Sequence, residues 1–343
     1  MWIRYLFPAL LVSLSLSAAW AQQQNQLQGS SANISVSVDL VKVPFSVFDG
    51  QDNMVQDLRR ENFLLYEDDA RQDIRSFGVD VEPVSIVMVL DTSATVKEEL
   101  NKIKEAAEEF AGHLSKDDRI SIITFDEEVK LLLDWTNNSS LVRKSLKKVK
   151  LGLRTALFDA MYAAAHEMLQ GVEGRKAIIL LTDCLNNQSS VSFSEASLAI
   201  IQSQASLYVI SKTKIVRQEA KRERRVIMLS NIARRLFGDV DYIEEFFKKR
   251  ESEMTELAEK TGGLCLFPSD YDEIKKEYGE VAHELKSKYY LTYVSNQYKA
   301  PDSYHRIALE YLAPYSKLNY RKGYYFKPMQ TYVRPVLKRI DQK

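Results

Sequence analysis

Val84-Ser85-Ile86-Val87-Met88-Val89-Leu90-Asp91-Thr92-Ser93-Ala94-Thr95 decides the fold of this chain. Residues 84–90 are an apolar run, the mark of a β-strand covered on both faces. Asp91, Ser93 and Thr95 then alternate, so an extended loop aims three oxygen-bearing side chains the same way. Val96, Leu100, Ile103, Ala107, Phe110 and Leu114 follow at helical spacing. Working outward, residues 120–125, 129–135, 177–181, 206–210 and 263–267 read as further strands. Residues 157–169 are apolar nearly all round, which predicts a buried helix. Strands alternating with helices predict an α/β fold, an open and mainly parallel sheet with helices on both faces.

Two more oxygen positions fall where such a sheet places its sites. Thr155 stands just before the buried helix, and Asp183 ends Ile178-Ile179-Leu180-Leu181-Thr182-Asp183. Open α/β sheets bind ligands outside the carboxyl ends of their strands, where the strand order reverses. Hydroxyls and two carboxylates, without sulfur or imidazole, suit Mg²⁺, with Mn²⁺ or Ca²⁺ as substitutes. The two carboxylates neutralise such an ion, which then seeks one more anionic oxygen from a partner. The competing reading has Asp91 and Asp183 capping helices and the hydroxyls satisfying loop backbone.

The chain has 343 residues, which suggests two structural units. Basic and acidic side chains balance at 47 each, so the basic excess of a nucleic-acid binder is missing. Residues 1–21 read as a signal peptide, with Arg4, an apolar stretch over 5–17 and Ala19-Trp20-Ala21. A buried N-terminal element is the alternative. Residues 22–33 are a flexible polar lead, and no later apolar run reaches membrane length. The expectation is therefore an exported protein, periplasmic or secreted. Residues 34–82 and 289–343 carry strand patterns, and each is too small to be stable alone. They are expected to pair into one β-sandwich around an α/β domain at 83–288; two separate extensions are the alternative. A helical insertion is expected near 212–260. Its basic run (Lys212, Lys214, Arg217, Lys221, Arg222, Arg224, Arg225) reads as a solvated helix face. Cys184 and Cys265 fall on strands with another between them, roughly 9–10 Å apart, too far for a disulfide.

The oxygen set Asp91, Ser93, Thr95, Thr155 and Asp183 resembles the metal-ion-dependent adhesion site of von Willebrand factor A domains. That resemblance implies that these five residues hold Mg²⁺ and that a Glu or Asp of a protein ligand completes its shell. The flanks extend the likeness. Glu61-Asn62-Phe63-Leu64-Leu65-Tyr66-Glu67-Asp68, Leu257-Ala258-Glu259-Lys260-Thr261-Gly262-Gly263 and Arg321-Lys322-Gly323-Tyr324-Tyr325 are similar to the exported VWFA-related family typical of acidobacteria. The chain departs from the family at Arg154 and Cys184, each in place of Gly, and at Ala94. Arg154 either repels the metal or clamps an acidic ligand. Cys184 brings a thiol beside the site, so both residues are placed with the ligand-binding set. The function implied is metal-dependent capture of an acidic protein partner, without catalysis. The four histidines are scattered, and there is neither a His-Glu-x-x-His site nor a Gly-x-Ser-x-Gly elbow. An envelope scaffold with a degenerate site and a Mg²⁺-dependent phosphoesterase are the alternatives.

Overall fold

The computed structural model describes residues 40–93, 100–222, 242–295, 299–328 and 336–339. The expected signal peptide, the polar lead and Thr95 lie outside these residues. The N-terminal strands are β1 (Leu40–Phe48), β2 (Phe63–Glu67), β3 (Ala70–Gln72) and β4 (Ile74–Val79). The α/β region follows as β5 (Val84–Asp91), α1 (Leu100–Gly112), β6 (Arg119–Phe125), β7 (Val129–Thr136), α2 (Ser139–Leu146) and α3 (Leu157–Tyr162). It continues through β8 (Arg175–Thr182), α4 (Phe193–Ser203), β9 (Ser206–Ser211), α5 (Thr213–Arg222), α6 (Tyr242–Lys260), β10 (Cys265–Leu266) and α7 (Tyr271–Ser287). The C-terminal strands are β11 (Tyr289–Val294), β12 (Ser303–Tyr311), β13 (Lys317–Tyr320), β14 (Gly323–Phe326) and β15 (Leu337–Arg339).

Every residue of β5 is buried, as its apolar run requires. Side chains alternate across a strand, and β5 divides them between two cores. Ile86, Met88 and Leu90 join α1, α2 and α7 through Ile103, Phe110, Val142, Ile274 and Tyr278. Val87 and Val89 join α3, α4 and α6 through Leu157, Met161, Ile200 and Met254. Each such side chain contributes roughly 1.5–3 kcal/mol on leaving water. The central sheet has the order β10-β9-β8-β5-β6-β7-β15. β5 is parallel to both β6 and β8, and β9 is parallel to β8, while β7 runs antiparallel to β6. Chain order thus leaves β5 in both directions, which makes its carboxyl end the switch point.

The flanking strands form two antiparallel sheets, β13-β1-β11-β4 and β14-β12-β2-β3. One apolar cluster serves both, with Val43, Phe45 and Leu291 from one sheet and Phe63, Leu65 and Ile307 from the other. Phe45 and Phe63 meet across the gap with ring centroids 4.9 Å apart. Asp68 and Asp69 turn β2 into β3 at φ 46° and 67°, left-handed values that short polar side chains tolerate. The chain then changes sheets, because β3 pairs with β2 but β4 pairs with β11. Buried Glu67 ties the two sheets together. Its carboxylate accepts from Tyr293 on β11, Tyr324 on β14 and Ser295, and Lys299 Nζ lies 3.2 Å away.

Polar contacts also join the flanking sheets to the α/β region. Arg175 donates to the carbonyls of Asp80, Glu82 and Leu285. Asp80 in turn takes Lys42 at 2.9 Å. Glu284 on α7 accepts from Ser46 on β1 and Asn319 on β13.

Four expectations need correction. Leu337–Arg339 was expected among the flanking strands but pairs parallel to β7, at the edge of the central sheet. The expected strand over 263–267 shrinks to Cys265–Leu266. The buried helix over 157–169 loosens into a π-turn at Ala163–Met168. The basic run is no uniform solvated face: Lys212 has 0% exposure, and Arg217 pairs with Glu244 and Glu251 at 2.7 and 2.6 Å.

Candidate metal centre

Asp91 ends β5, and Asp183 follows β8 by one residue. Leu90 and Leu181 are register partners, so the two aspartates emerge at the same edge of adjacent strands. Both are 0% exposed, and Ser93 and Thr155 are also buried, at 2% and 5%. Asp91 Oδ1 accepts the Ser93 N–H at 2.9 Å, and Asp183 Oδ1 accepts the Leu185 N–H at 3.0 Å. The first of these bonds leaves Asp91 Oδ2 without a hydrogen-bond partner among the described residues.

Thr155 is tied to the same edge by backbone. Its carbonyl accepts the N–H groups of Asn187 and Gln188 at 3.1 and 3.2 Å, and its own N–H donates to Asn187 Oδ1 at 3.0 Å. Gly152 N–H donates to the Thr92 carbonyl at 2.9 Å, and Ala156 N–H to that of Asp126 at 2.7 Å. This docking needs glycine, since a Cβ at 152 would lie 2.3 Å from Asp126 Cβ. Asp159, at the start of α3, accepts the N–H groups of Ser190 and Val191 and so secures the loop after β8. The loops after β5 and β8 and the segment before α3 therefore form one hydrogen-bonded platform.

The two departures from the family pattern lie differently. Arg154 is exposed and donates from Nη1 to Gln188 Oε1. Beside it Leu153 is 84% exposed, an apolar side chain on the rim. Cys184 is 0% exposed, with Sγ 3.4 Å from Ser211 Oγ, and burial pushes its thiol well above the ordinary value. That removes Cys184 from direct contact with a partner, a correction to its placement with the ligand-binding set. Its φ of +61° accounts for the glycine expected at this position.

Lys212 is the residue that sequence reasoning misplaced. It directly follows β9, and its Nζ reaches to 3.6 Å from Asp91 Oδ2. Both side chains have 0% exposure, and neither atom has a hydrogen-bond partner among the described residues. The signal was its position at the carboxyl end of a covered strand, the edge that also carries Asp91 and Asp183. The donor chemistry fits a hard divalent ion, since Asp91 Oδ2 is a buried carboxylate oxygen without a hydrogen-bond partner among the described residues. An ion bound there shares that carboxylate with an ammonium. Among the described residues, no three His, Cys, Asp or Glu side chains gather to hold a metal. The expected set has only two acids and would draw its other donors from hydroxyls.

One histidine does stand in a relay. His305 lies 2.7 Å from both Ser303 Oγ and Asp68 Oδ2. The Ser303 hydroxyl, however, donates to the Ala300 carbonyl rather than to the imidazole. A serine nucleophile needs the opposite polarity.

A mainly parallel sheet with helices on both faces, carrying two buried aspartates at its switch point, defines a doubly wound α/β fold. Residues 85–249 match the family model of the von Willebrand factor type A domain, so the chain carries a domain of that family. Domains of this family are typically interaction or adhesion modules, and many bind a divalent metal. The chain is 30% identical over 105 residues to an uncharacterized protein of Synechocystis sp., a match covering 29% of this chain and 25% of that one. It thus spans about a quarter of that curated relative's length. Among solved structures, the vWF domain of the type V pili tip protein Mfa5 from Porphyromonas gingivalis is 20% identical with a TM-score of 0.30, covering 34% of this chain and 44% of that one. Proximal thread matrix protein 1 from the mussel byssus, with zinc in its MIDAS motif, is 15% identical with a TM-score of 0.46 over 64% and 49%. An aerotolerance-related membrane protein from Bacteroides fragilis is 15% identical with a TM-score of 0.41 over 59% and 99%. No helix among the described residues is long and apolar enough to cross a membrane.

Proposed function

We propose that this is an exported, non-enzymatic binding protein that captures an acidic protein ligand through a divalent ion at the end of β5. The observation that carries the reading is the pairing of two fully buried aspartates, Asp91 and Asp183, at the carboxyl ends of adjacent parallel strands. Buried like charges repel unless a cation lies between or beside them. Asp91, Ser93, Thr95, Thr155 and Asp183 would hold Mg²⁺, with Mn²⁺ or Ca²⁺ as substitutes. The ion supplies an electron-poor centre for a partner's carboxylate oxygen. The rim supplies the rest: Leu153 offers apolar contact, and the Arg154 guanidinium faces an incoming acid.

The test is capture on the immobilised protein from envelope and medium fractions of the source cells, in Mg²⁺ or in EDTA. The expected result is a partner retained in Mg²⁺, released by EDTA and lost with Asp91→Ala. Equal capture in EDTA and by the variant would contradict the reading and favour a scaffold role. Export is checked by the N-terminus of the cell-produced protein, expected at Gln22; an intact Met1 in the cytoplasmic fraction contradicts it.

A further inference from the structure

We infer that Lys212 is a resident counter-cation of the metal centre, so that a divalent ion binds only against a built-in ammonium. The inference deepens the proposed function and rests on its reading of the site. It starts from the strand order. β9, which delivers Lys212, is separated from β5 by β8. Next-but-one strands lie roughly 9–10 Å apart. Only a long side chain reaching across the end of β8 can bring a charge from β9 to Asp91, and Lys212 Nζ arrives 3.6 Å from Asp91 Oδ2.

The base of that reach is fixed. Lys212 N–H donates to the Thr182 carbonyl at 2.8 Å, and its carbonyl accepts from Val216 at 3.0 Å in the first turn of α5. Thr213 donates its hydroxyl to Glu251 on α6, which pins the start of α5. With 0% exposure, the ammonium cannot turn to solvent without moving the β9–α5 junction. Nor can it meet a partner, so its action is internal.

Its effect follows from charge. Asp91, Asp183 and the Lys212 ammonium together carry one net negative charge before any metal binds. The ammonium thus relieves the repulsion that would otherwise destabilise the apo fold. A divalent ion turns the site positive by one unit, a costly state away from water. A partner's carboxylate then restores neutrality. Lys212 therefore weakens metal binding by itself and makes it more dependent on an acidic ligand.

The experiment is a double-mutant cycle on the full chain with wild type, Lys212→Met, Asp91→Asn and the double variant. Thermal unfolding is read in EDTA, and Mn²⁺ binding by calorimetry. In EDTA, Lys212→Met is expected to lower the melting temperature, and to do so far less in the Asp91→Asn background. Lys212→Met is also expected to bind Mn²⁺ at least tenfold more tightly than wild type. Folding of Lys212→Met only with Mn²⁺, while the double variant folds in EDTA, supports the same conclusion. Equal destabilisation in both backgrounds overturns the inference, because Lys212 is then only a spacer. Equal Mn²⁺ affinity of wild type and Lys212→Met overturns it while leaving the metal centre standing. Failure of both to bind Mn²⁺ overturns the metal centre, and with it the competition.

Discussion

At the residue scale, the side chains of the proposed metal centre are set by where strands end. Asp91 was legible because it closes a continuous apolar run, and Asp183 because it closes another. Lys212 was not, because a lysine after a strand and before a basic helix looks the same in sequence whether it faces water or the sheet edge. Its burial depends on β9 lying beside β8, a fact of topology. Cys184 illustrates the converse. Its position beside Asp183 suggested access to a ligand, yet its left-handed backbone turns the thiol inward, toward Ser211. Burial raises Cys184 well above the usual thiol range and pushes Cys265 up to about 12. Thiolates are the reactive species. Native protein at pH 8 is therefore expected to leave both cysteines unmodified by iodoacetamide over an hour, with both labelled after denaturation. Rapid native labelling of Cys184 would show that the loop after β8 is open.

At the element scale, period and turn residues located most strands, but partners had to come from the fold. The alternation Val41, Val43, Phe45, Val47 matches the buried positions of β1. By its pattern Gln72 to Phe77 reads as the second strand of a hairpin with Phe63 to Glu67, yet the stretch serves two sheets. A strand can leave one partner for another when its own side chains supply buried faces on both, and Gln72 and Ile74 are buried on either side of the change. Glu67 locks this arrangement. Burial alone would raise its pKa, but the Ser295 and Tyr324 hydroxyls and the Lys299 charge hold it below the ordinary 4.5. A carboxyl with a lowered folded pKa stabilises the protein above its unfolded value, and that contribution is lost as pH falls through the folded value. Melting temperature is thus expected to decline below about pH 4.5, and Glu67→Gln is expected to flatten part of that decline. The same substitution leaves Lys299 without its charge partner and is expected to cost about 3 kcal/mol near neutral pH. An unchanged acid limb in the variant would assign the decline to other carboxyls.

At the scale of the whole molecule, the α/β domain and the flanking sheets are joined by buried polar groups. Arg175, at the start of β8, holds the carbonyls of Asp80 and Glu82 in the link that leads from β4 to β5, and that of Leu285 on α7. Lys288 contacts Glu284 at 3.6 Å and donates to the Gly262 carbonyl at the junction between α7 and β11. Breaking a buried polar network of this kind is costly. Calorimetry is expected to show one unfolding transition for both regions. Arg175→Ala is expected to lower stability by about 3 kcal/mol and to shift that transition as a unit. Two separate transitions in the wild type would show that the regions are independent. None of these contacts was legible in sequence, since Arg175 and Asp80 are 95 residues apart and carry no local pattern.

The account stands on the two buried aspartates being a metal centre. A Mn²⁺ titration of the full chain, beside Asp183→Ala, addresses that most directly. The account predicts saturable binding of one ion per chain in the wild type and at least a hundredfold loss in the variant. Binding that survives Asp183→Ala, or no binding by wild type and Lys212→Met alike, would contradict it.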